Sequence, residues 1–459
     1  MAEARVILPA PHSEIQSLIM NSAFTPDLQE MYVACGTKFG KTISGVASYC
    51  ALAPVLQEGV IRHVAPIYSQ ASIGLRYATK FLPGHPYTTV NKTAHTISFN
   101  QRNRNQIVEF WHGQQPESLE GEGVIFYLLD EASKMKQQVY DSALTTMTVT
   151  KGILCATSTP RGKQSWFYVK CMEAKNEMEW CLKKGKNPTK IFLTAPTSAN
   201  PYVSPDVIAR NKKNLPSRLF EQYYLAAFVD SGEIFPCFRD AIEGDQLHFE
   251  MESQLWLMPE ADKLEDIVIG ADWGKKEDYA VFTAWSVKQR RMVGFMRFRG
   301  VDYISAIKNL LWFGQQFSRL LQVWHDKTGL GEVIDDALSN TELPYEGVVF
   351  TNKSKSTMVN TMMLAFQRKD IHLPNWPDMI EELDAYECSF SEIGNMKYAA
   401  GDGFHDDIVS SMFLGWAALE EFAPSTIEVI SLDDLENMDL KATDFKAADE
   451  DFYSWLGKG

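Results

Sequence analysis

A short loop between a predicted strand and a predicted helix constrains the fold more than any other stretch of the chain. The loop covers residues 35–42, after the apolar run 31–34 and before a helix predicted to begin at Ile43. A strand, a tight loop with glycine, the tripeptide Gly-Lys-Thr and a helix form the layout of a phosphate-binding loop. Because Cys35 stands where the standard pattern has its first glycine, the motif needs support from the rest of the chain.

Two side chains of this loop carry its predicted chemistry. The backbone N–H groups of such a loop and the positive end of the helix dipole hold phosphate oxygens. Lys41 is predicted to reach the β- and γ-phosphates of ATP, and the Thr42 hydroxyl is predicted to ligate Mg²⁺. The predicted nucleotide contacts in the loop are Gly36, Thr37, Lys38, Phe39, Gly40, Lys41 and Thr42.

Gln29, just ahead of the predicted strand, is a candidate for recognising the adenine base. Its amide both donates and accepts hydrogen bonds, as the adenine edge requires. A surface glutamine in a capped turn is the alternative interpretation, and the loop that follows favours a binding role.

A second stretch supports the loop. The apolar run 124–129 predicts a strand buried on both faces, and it ends at Asp130 and Glu131. In parallel α/β sheets, ligands bind at the C-terminal ends of the strands. Asp130 is therefore predicted to hold Mg²⁺, and Glu131 to polarise the water that attacks the γ-phosphate. The buried run 152–156 ends in the hydroxyl residues 157–159, which could sense the γ-phosphate.

Composition bounds the class of protein. With 459 residues, 45% of them hydrophobic, the chain is long enough for two or three globular domains. Neither a signal peptide nor a membrane-spanning run is predicted. The seven scattered cysteines, without a C-x-x-C pair, indicate a reducing compartment and no zinc site. The net charge of −15 argues against a surface covered in DNA-binding groups, although basic clusters at 183–186 and 353–355 allow a local basic groove.

A second α/β pattern in the C-terminal half presents acids at the ends of predicted elements. Asp272 ends a buried strand, Asp278 follows it, and Asp326 ends another strand. Asp406 and Asp407 open a helix predicted over residues 408–421. Carboxylates from two strand ends and one helix start can converge on a pair of divalent cations that cut a phosphodiester. Each acid taken alone could also be an ordinary terminal or capping residue.

These motifs, in order across residues 24–421, resemble the large terminase subunit of tailed bacteriophages, the motor that packages DNA into proheads. The phosphate loop and the stretches 128–132 and 157–162 are similar to its ATPase motifs, and 197–235 to its lid and linker. Its nuclease motifs are matched by 272–278, 326–329, 353–355 and 405–407.

The resemblance implies an α/β protein with two activities. A P-loop ATPase with a mainly parallel sheet would drive duplex DNA as a homo-oligomeric ring, and an RNase H-like nuclease with a mixed sheet would cut concatemeric DNA. The implied catalytic residues are Lys41, Glu131, Asp272, Asp326 and Asp407, and the implied metal ligands are Thr42, Asp130, Asp272, Asp278, Asp326, Asp406 and Asp407. The implied cofactors are ATP and Mg²⁺, with Mn²⁺ as a substitute at the nuclease.

The resemblance also implies partners and a domain division. The partners are double-stranded DNA, the portal protein and a small terminase subunit, with no membrane. The chain would form a homo-oligomeric ring during packaging, with a monomer in solution as the alternative. It would act in the host cytoplasm at the prohead portal and be absent from the mature virion. The predicted division is an ATPase core over 1–165, a helical lid and linker over 166–235, a connector over 236–262, the nuclease over 263–424 and an acidic tail over 425–459.

Several assignments stay open at this level. Many family members carry arginine at the position of Thr37, and Lys38 or a neighbouring subunit is predicted to replace that basic contact. Arg102, Arg104 and Arg161 are alternatives for an arginine acting in trans. A helicase-like repair ATPase fused to a resolvase-type nuclease, or a catalytically decayed capsid-assembly protein, would carry similar motifs.

Overall fold

The structure is a computed structural model. It describes residues 6–52, 58–82, 87–101, 104–230, 232–274, 278–328, 331–390, 396–400 and 405–423. Arg102, Gly329 and the predicted acidic tail lie outside the described residues.

Twelve α-helices lie within the described part of the chain. They are α1 Glu14–Met20, α2 Lys41–Cys50, α3 Tyr68–Phe81, α4 Gln137–Met147, α5 Trp166–Lys184, α6 Pro205–Asn214, α7 Ser217–Tyr224, α8 Tyr303–Gly314, α9 Gly331–Leu338, α10 Asn352–Arg368, α11 Pro377–Ala385 and α12 Asp407–Phe422.

The strands, in chain order, are β1 Glu30–Cys35, β2 Gly59–Ala65, β3 Thr88–Asn91, β4 Thr96–Gln101, β5 Arg104–His112, β6 Val124–Asp130, β7 Ile153–Ser158, β8 Lys190–Ala195, β9 Gly232–Glu233, β10 Ile242–Glu243, β11 Gln254–Leu257, β12 Ile267–Asp272, β13 Ala280–Ser286, β14 Arg291–Phe298, β15 Leu320–Asp326, β16 Tyr345–Val348, β17 Leu373–Pro374, β18 Tyr386–Phe390 and β19 Met396–Ala400.

The described residues form two compact units. The first contains the chain up to residue 237 together with 355–367 and 382–404, and the second contains 238–354, 368–381 and the chain from 405 onward. The first unit also holds the small antiparallel sheet β19-β18-β9, whose strands come from distant parts of the sequence. The short parallel pair β10-β17 lies in the second unit.

An eight-stranded sheet, in the order β3-β4-β5-β2-β6-β7-β1-β8, forms the centre of the first unit. The six strands β5, β2, β6, β7, β1 and β8 are parallel to one another. Strands β3 and β4 add an antiparallel edge next to β5. Parallel strands need crossover helices, and these cover both faces of the sheet. The predicted mainly parallel sheet is confirmed.

The two faces of this sheet have separate hydrophobic cores. Alternate residues of β1 show the division, since Val33 belongs to the core that contains Tyr49 of α2, and Tyr32 to the core that contains Phe167 of α5. All four side chains are fully buried. A strand with both faces covered has no polar alternation, so β1 and β6 are continuous apolar runs.

The second unit is built on a six-stranded mixed sheet, in the order β11-β14-β13-β12-β15-β16. The strands β12, β13 and β14 form an antiparallel meander, and β15 returns parallel to β12. Both the predicted meander and the predicted mixed sheet are confirmed.

Helix α12 crosses β12 at close range. The Ser411 hydroxyl donates to the carbonyl of Gly270 at 2.9 Å, and Thr283 Oγ1 lies 3.1 Å from the carbonyl oxygen of Ser411. A Cβ atom on Gly270 would clash with the backbone of Ser411 and Gly415. Glycine at position 270 therefore sets how closely the helix that begins with Asp407 approaches the strand that ends with Asp272.

Several elements differ from the sequence-based expectations. The stretch 166–235, predicted to be helical, also contributes β8, which pairs with β1 at the edge of the first sheet. Helix α7, predicted to reach 229, ends at Tyr224, and Ala226 has a positive φ of 60°. Helix α8 ends at Gly314 rather than near 320, because the chain must turn before β15 begins at Leu320. In the described part of the chain, no helix is long and apolar enough to cross a membrane.

The close approach of α12 makes a stability prediction. Gly270→Ala should lower the free energy of unfolding of the second unit by about 1–3 kcal/mol or more, because the new methyl meets rigid backbone. Calorimetric unfolding measures the change. Gly314→Ala is the matched control: its Cβ would lie 3.1 Å from Leu320 Cδ2, a flexible side-chain end, so its effect should be small. Equal effects of the two substitutions would contradict the packing argument.

Candidate nucleotide and metal sites

The predicted phosphate-binding loop connects β1 to α2 at the C-terminal ends of the parallel strands. Gly40 caps the helix with a φ of 100°, a left-handed conformation that favours glycine. Lys38 also has a positive φ, of 59°, and its side chain is exposed at the tip of the loop. The loop thus has the tight turn that backbone binding of phosphate requires.

Lys41 is buried at this turn. Its Nζ donates to the carbonyls of Cys35 and Gly36, both at 3.0 Å, and to Thr159 Oγ1 at 3.1 Å. Burial lowers the pKa of the ammonium, and the negative charge of Glu131 is the largest opposing influence. The ammonium is thus held among oxygen acceptors beside the loop, and exchanging them for phosphate oxygens costs it little.

Asp130, at the end of β6, is bonded to two neighbouring elements. Its Oδ2 accepts from Thr42 Oγ1 at 2.7 Å and its Oδ1 accepts from Thr157 Oγ1 at 2.9 Å. Burial and the nearby Glu131 raise the pKa of the carboxyl, and the two hydroxyl bonds act against that shift. Oxygen ligands from Thr42 and Asp130, side by side, fit the preference of Mg²⁺ for hard donors.

His63 is a neighbour of this carboxylate that no local sequence pattern indicates. Its Nε2 lies 4.0 Å from Asp130 Oδ2, and its Nδ1 lies 3.2 Å from the hydroxyl of Tyr49. Complete burial lowers the pKa of His63 to about 3, so the imidazole is neutral. On this side, Asp130 therefore faces an uncharged imidazole.

Glu131 has a strained backbone. Its φ of 57° lies in the left-handed region, which is uncommon for a residue with a side chain and concentrates at functional sites. The carboxylate pairs with Lys134 Nζ at 2.9 Å. The following turn is fixed by Ser133, whose Oγ lies 2.6 Å from Ser158 Oγ and donates to the carbonyl of Thr159 at 3.0 Å. Ser158, at the end of β7, and the following Thr159 therefore support the turn that carries Glu131.

Residues from the predicted lid hold the loop from outside. The Thr37 N–H donates to the carbonyl of Tyr223 at 2.7 Å, and Thr197 Oγ1 donates to the carbonyl of Thr37 at 2.8 Å. Asn200 Nδ2 donates to the carbonyl of Lys38 at 2.6 Å. The backbone donor of Thr37 cannot serve a phosphate while it is bonded to Tyr223.

The role predicted for Gln29 does not agree with its position. Gln29 is exposed and precedes β1, so the six residues of that strand, about 20 Å, separate it from the loop. The glutamine beside the loop is Gln16, which is 5% exposed and whose amide faces Gly40. It accepts the N–H of His12 at 2.8 Å, and His12 Nε2 lies 3.0 Å from the carbonyl of Phe39.

A local signal for Gln16 exists in the sequence. Ser13 caps α1, and its hydroxyl accepts the N–H of Gln16 at 3.2 Å. Serine followed three residues later by glutamine is the pattern of a capping box. It predicts the start of α1, but the packing of α1 against the loop depends on long-range contacts.

Two of the three candidate arginines are described. Arg104 begins β5, at the N-terminal ends of the parallel strands and away from the loop. Arg161 lies at the nucleotide edge of its own chain, where burial lowers its pKa and the charges of Tyr223 and Glu131 oppose that shift.

The acids of the second unit lie in two groups. Asp272 and Asp326 end neighbouring parallel strands, and the register that pairs Ala271 with His325 puts both acids at the same edge. The second group is formed by Asp278, Asp406 and Asp407, which interact electrostatically.

Asp407 is the most perturbed acid of this unit. Its buried Oδ2 has no hydrogen-bond partner among the described residues. Burial, with the negative charges of Asp406 and Asp278, raises the pKa of Asp407 to about 6, and His405 at 3.8 Å acts against the shift. An unpartnered oxygen among like charges fits a divalent cation.

Among the residues that the structure describes, no three His, Cys, Asp or Glu side chains stand close enough together to form a complete metal site. Asp272, Asp326 and Asp407 therefore remain candidate metal ligands.

A buried imidazole lies next to the Asp272 and Asp326 edge. His325 is fully buried; its Nδ1 accepts from Trp273 Nε1 at 3.2 Å and its Nε2 lies 2.9 Å from Asp335 Oδ1. Burial lowers the pKa of His325, and the interactions with Asp326 and Asp335 oppose that shift. Asp335 also pairs with Lys327, so this network fixes the residues on either side of Asp326.

The raised pKa of Asp407 makes a stability prediction. Since the folded value of about 6 exceeds that of the unfolded chain, the ionised carboxylate costs nothing below about pH 4 and costs most above pH 6. Asp407→Asn should therefore stabilise the metal-free second unit at pH 8 by on the order of 2–3 kcal/mol, and by less at pH 5.

Calorimetry in the presence of a chelator at the two pH values measures this effect. Asp336→Asn, at an exposed position of α9, is the control and should change little at either pH. An Asp407→Asn protein that is less stable than the wild type at pH 8 would contradict the prediction.

Comparison with known proteins gives one consistent result. No protein-family model matches the sequence. The terminase large subunits of Thermus virus P23-45 and Thermus phage G20c are each 25% identical to this chain over 319 residues, which make up 67% of this chain and 64% of either relative. The match thus spans less than two thirds of the length of these curated relatives.

The fold gives the same result over more of the chain. The large terminase of another thermophilic bacteriophage aligns with a TM-score of 0.54 and 14% identity, over 88% of this chain and 98% of that one. The same terminase in complex with ATP-γ-S aligns with a TM-score of 0.50, also at 14% identity and over 88% and 98% of the two chains. The predicted resemblance to the large terminase subunit is confirmed.

Proposed function

We propose that this protein is the large subunit of a viral DNA-packaging motor, with ATP hydrolysis in the first unit and metal-dependent DNA cleavage in the second. The observation that carries the proposal is the cluster of Lys41, Thr42, Asp130 and Glu131 at one edge of the parallel sheet. The terminase-like fold, which continues through the second sheet and its acids, connects this cluster to packaging.

The first unit has the groups that nucleotide hydrolysis needs. The loop and Lys41 bind the β- and γ-phosphates, as the complex of the thermophilic phage terminase with ATP-γ-S suggests by similarity. Thr42 and Asp130 would hold Mg²⁺, which neutralises charge on the phosphates when bound. Glu131 leaves its pair with Lys134 and orients the attacking water, and Gln16 is better placed than Gln29 to contact the base.

The second unit has groups for phosphodiester cleavage. Asp272, Asp326 and Asp407 would hold divalent cations, with Asp278 and Asp406 beside them. The chemistry supplied by such cations would be activation of a water and stabilisation of the leaving oxygen. The network of His325 and Asp335 keeps Asp326 at the strand end. Mg²⁺ is the proposed ion, and Mn²⁺ is proposed to replace it.

The proposed partners follow from this role. They are double-stranded DNA, a portal protein, a small terminase subunit and further copies of this chain in a ring. The proposed location is the host cytoplasm at the prohead portal, and not the mature virion. In the ring, Lys38 or a residue of a neighbouring copy supplies the basic contact to the nucleotide.

The nucleotide site makes a first functional prediction. Lys41→Ala should lose nucleotide binding, whereas Glu131→Gln should bind the nucleotide but hydrolyse it at least about 100-fold more slowly, because the water loses its base. Binding of a fluorescent ATP analogue and phosphate release measure the two steps. Lys175→Ala, on the exposed face of α5, is the control. Unchanged turnover in Glu131→Gln would remove Glu131 from the mechanism.

Packaging itself needs a separate test. With proheads, ATP and the small subunit, the wild-type protein should protect DNA from added DNase, and Lys41→Ala should not. Asp272→Asn should lose Mn²⁺-dependent plasmid cleavage and keep ATP turnover. ATP turnover and cleavage without protection would favour the repair enzyme, and a protein with neither activity would be a decayed assembly protein.

A further inference from the structure

A buried arginine in the second unit stacks on Tyr279, the residue that directly follows the acid Asp278. Arg297 is on β14, opposite Val281 of β13, and it is 7% exposed. Its Nη1 donates to Asp378 Oδ1 at 2.6 Å, and the guanidinium carbon lies 3.7 Å from the ring centroid of Tyr279. One face of the tyrosine ring is therefore covered by a cation whose position is fixed by an ion pair.

The partner of this arginine is itself firmly held. Asp378 Oδ2 accepts from Gln254 Nε2 at 3.0 Å, and Gln254 Oε1 accepts from Trp376 Nε1 at 2.6 Å. The Trp376 indole stacks on Phe295 with ring centroids 3.5 Å apart. The ion pair is thus anchored to the core of the second unit.

The other end of the chain of contacts reaches the acids. Tyr279 directly follows Asp278 in the sequence, and His405 Nδ1 lies 3.8 Å from Asp407 Oδ2. The Tyr279 ring also lies edge-on to His405, with centroids 6.1 Å apart. Because Tyr279 adjoins Asp278 and its ring contacts His405, a displacement of Tyr279 would change the surroundings of both Asp278 and Asp407.

We propose that Arg297, together with Asp378, is a positioning pair that holds Tyr279 and thereby fixes Asp278 and Asp407 for binding a divalent cation. This inference rests on the proposed nuclease function and deepens it. Neither residue touches the cation or the DNA; they act through the ring and the backbone of Tyr279.

Charge explains why the acids need such support. Asp278, Asp406 and Asp407 repel one another, so they separate unless donors or cations oppose the repulsion. Arginine suits the task because its planar guanidinium can stack on a ring and donate to a carboxylate at the same time, which lysine does not combine. Removal of a residue that orients a metal ligand without contacting the metal commonly lowers metal affinity by roughly 10–100-fold.

The test uses the full chain and Mn²⁺ alone as the probe, measured by calorimetric titration. Arg297→Met should weaken Mn²⁺ binding to the second unit about tenfold or more. Arg297→Lys should recover only part of the affinity, and Asp378→Asn should resemble Arg297→Met. Cleavage of plasmid should then need more metal, while the rate at saturating metal stays within a few fold of the wild type.

Arg291→Met is the matched control. Arg291 lies on the same strand and forms an ion pair with Glu243 at 2.7 Å, but it stands at the opposite end of β14. Its loss should leave Mn²⁺ affinity unchanged. Tyr279→Phe, which keeps the ring and its contacts with Arg297 and His405, should also bind Mn²⁺ like the wild type.

A double-mutant cycle separates positioning from general stability. Arg297→Met and Tyr279→Ala should not add in their effect on Mn²⁺ affinity, because both break the same contact. If Arg297→Met lowers the unfolding temperature but leaves Mn²⁺ affinity and the metal dependence of cleavage unchanged, the pair is structural only and the inference fails. A wild-type protein that binds Mn²⁺ but cuts no DNA would overturn the nuclease function, and the affinity series would still decide the positioning role.

Discussion

One buried carboxylate joins the elements on which the first unit depends. Asp130 ends β6 and accepts hydroxyl bonds from Thr42 on α2 and from Thr157 on β7. Burying a carboxylate is costly, and two short hydroxyl bonds offset the cost. The same two bonds set the distance between the phosphate loop and the hydroxyl strand. If Asp130 exchanges one of these hydroxyl partners for another group, both α2 and β7 are therefore affected through the sheet.

The two candidate sites are organised in opposite ways. At the nucleotide site, Lys41 lies among the acids Asp130 and Glu131, and the charges compensate within the protein. In the second unit the described acids face one another, and Lys327, which follows Asp326 directly, is engaged by Asp335. The first site thus contains both charge signs, whereas a carboxylate of the second, Asp407, has other acids as neighbours.

Much of this architecture was predictable, because long apolar strands and their terminal acids are local signals. The strands that carry Asp130, Asp272 and Asp326 all lie where the apolar runs predict them. Strand β8 was missed because an edge strand is half exposed and lacks a clear period. Gln16 and Tyr279 were missed for another reason: the groups they contact are far away in sequence, and no local pattern encodes such contacts.

The bond between the Thr37 N–H and the carbonyl of Tyr223 has a consequence for affinity. A nucleotide that needs this donor binds only the fraction of molecules in which α7 has released it. The apparent dissociation constant is then the intrinsic constant divided by that fraction. Any change that moves α7 away from Thr37 therefore tightens the binding of such a nucleotide without touching it. The position of α7 thus becomes one determinant of nucleotide affinity.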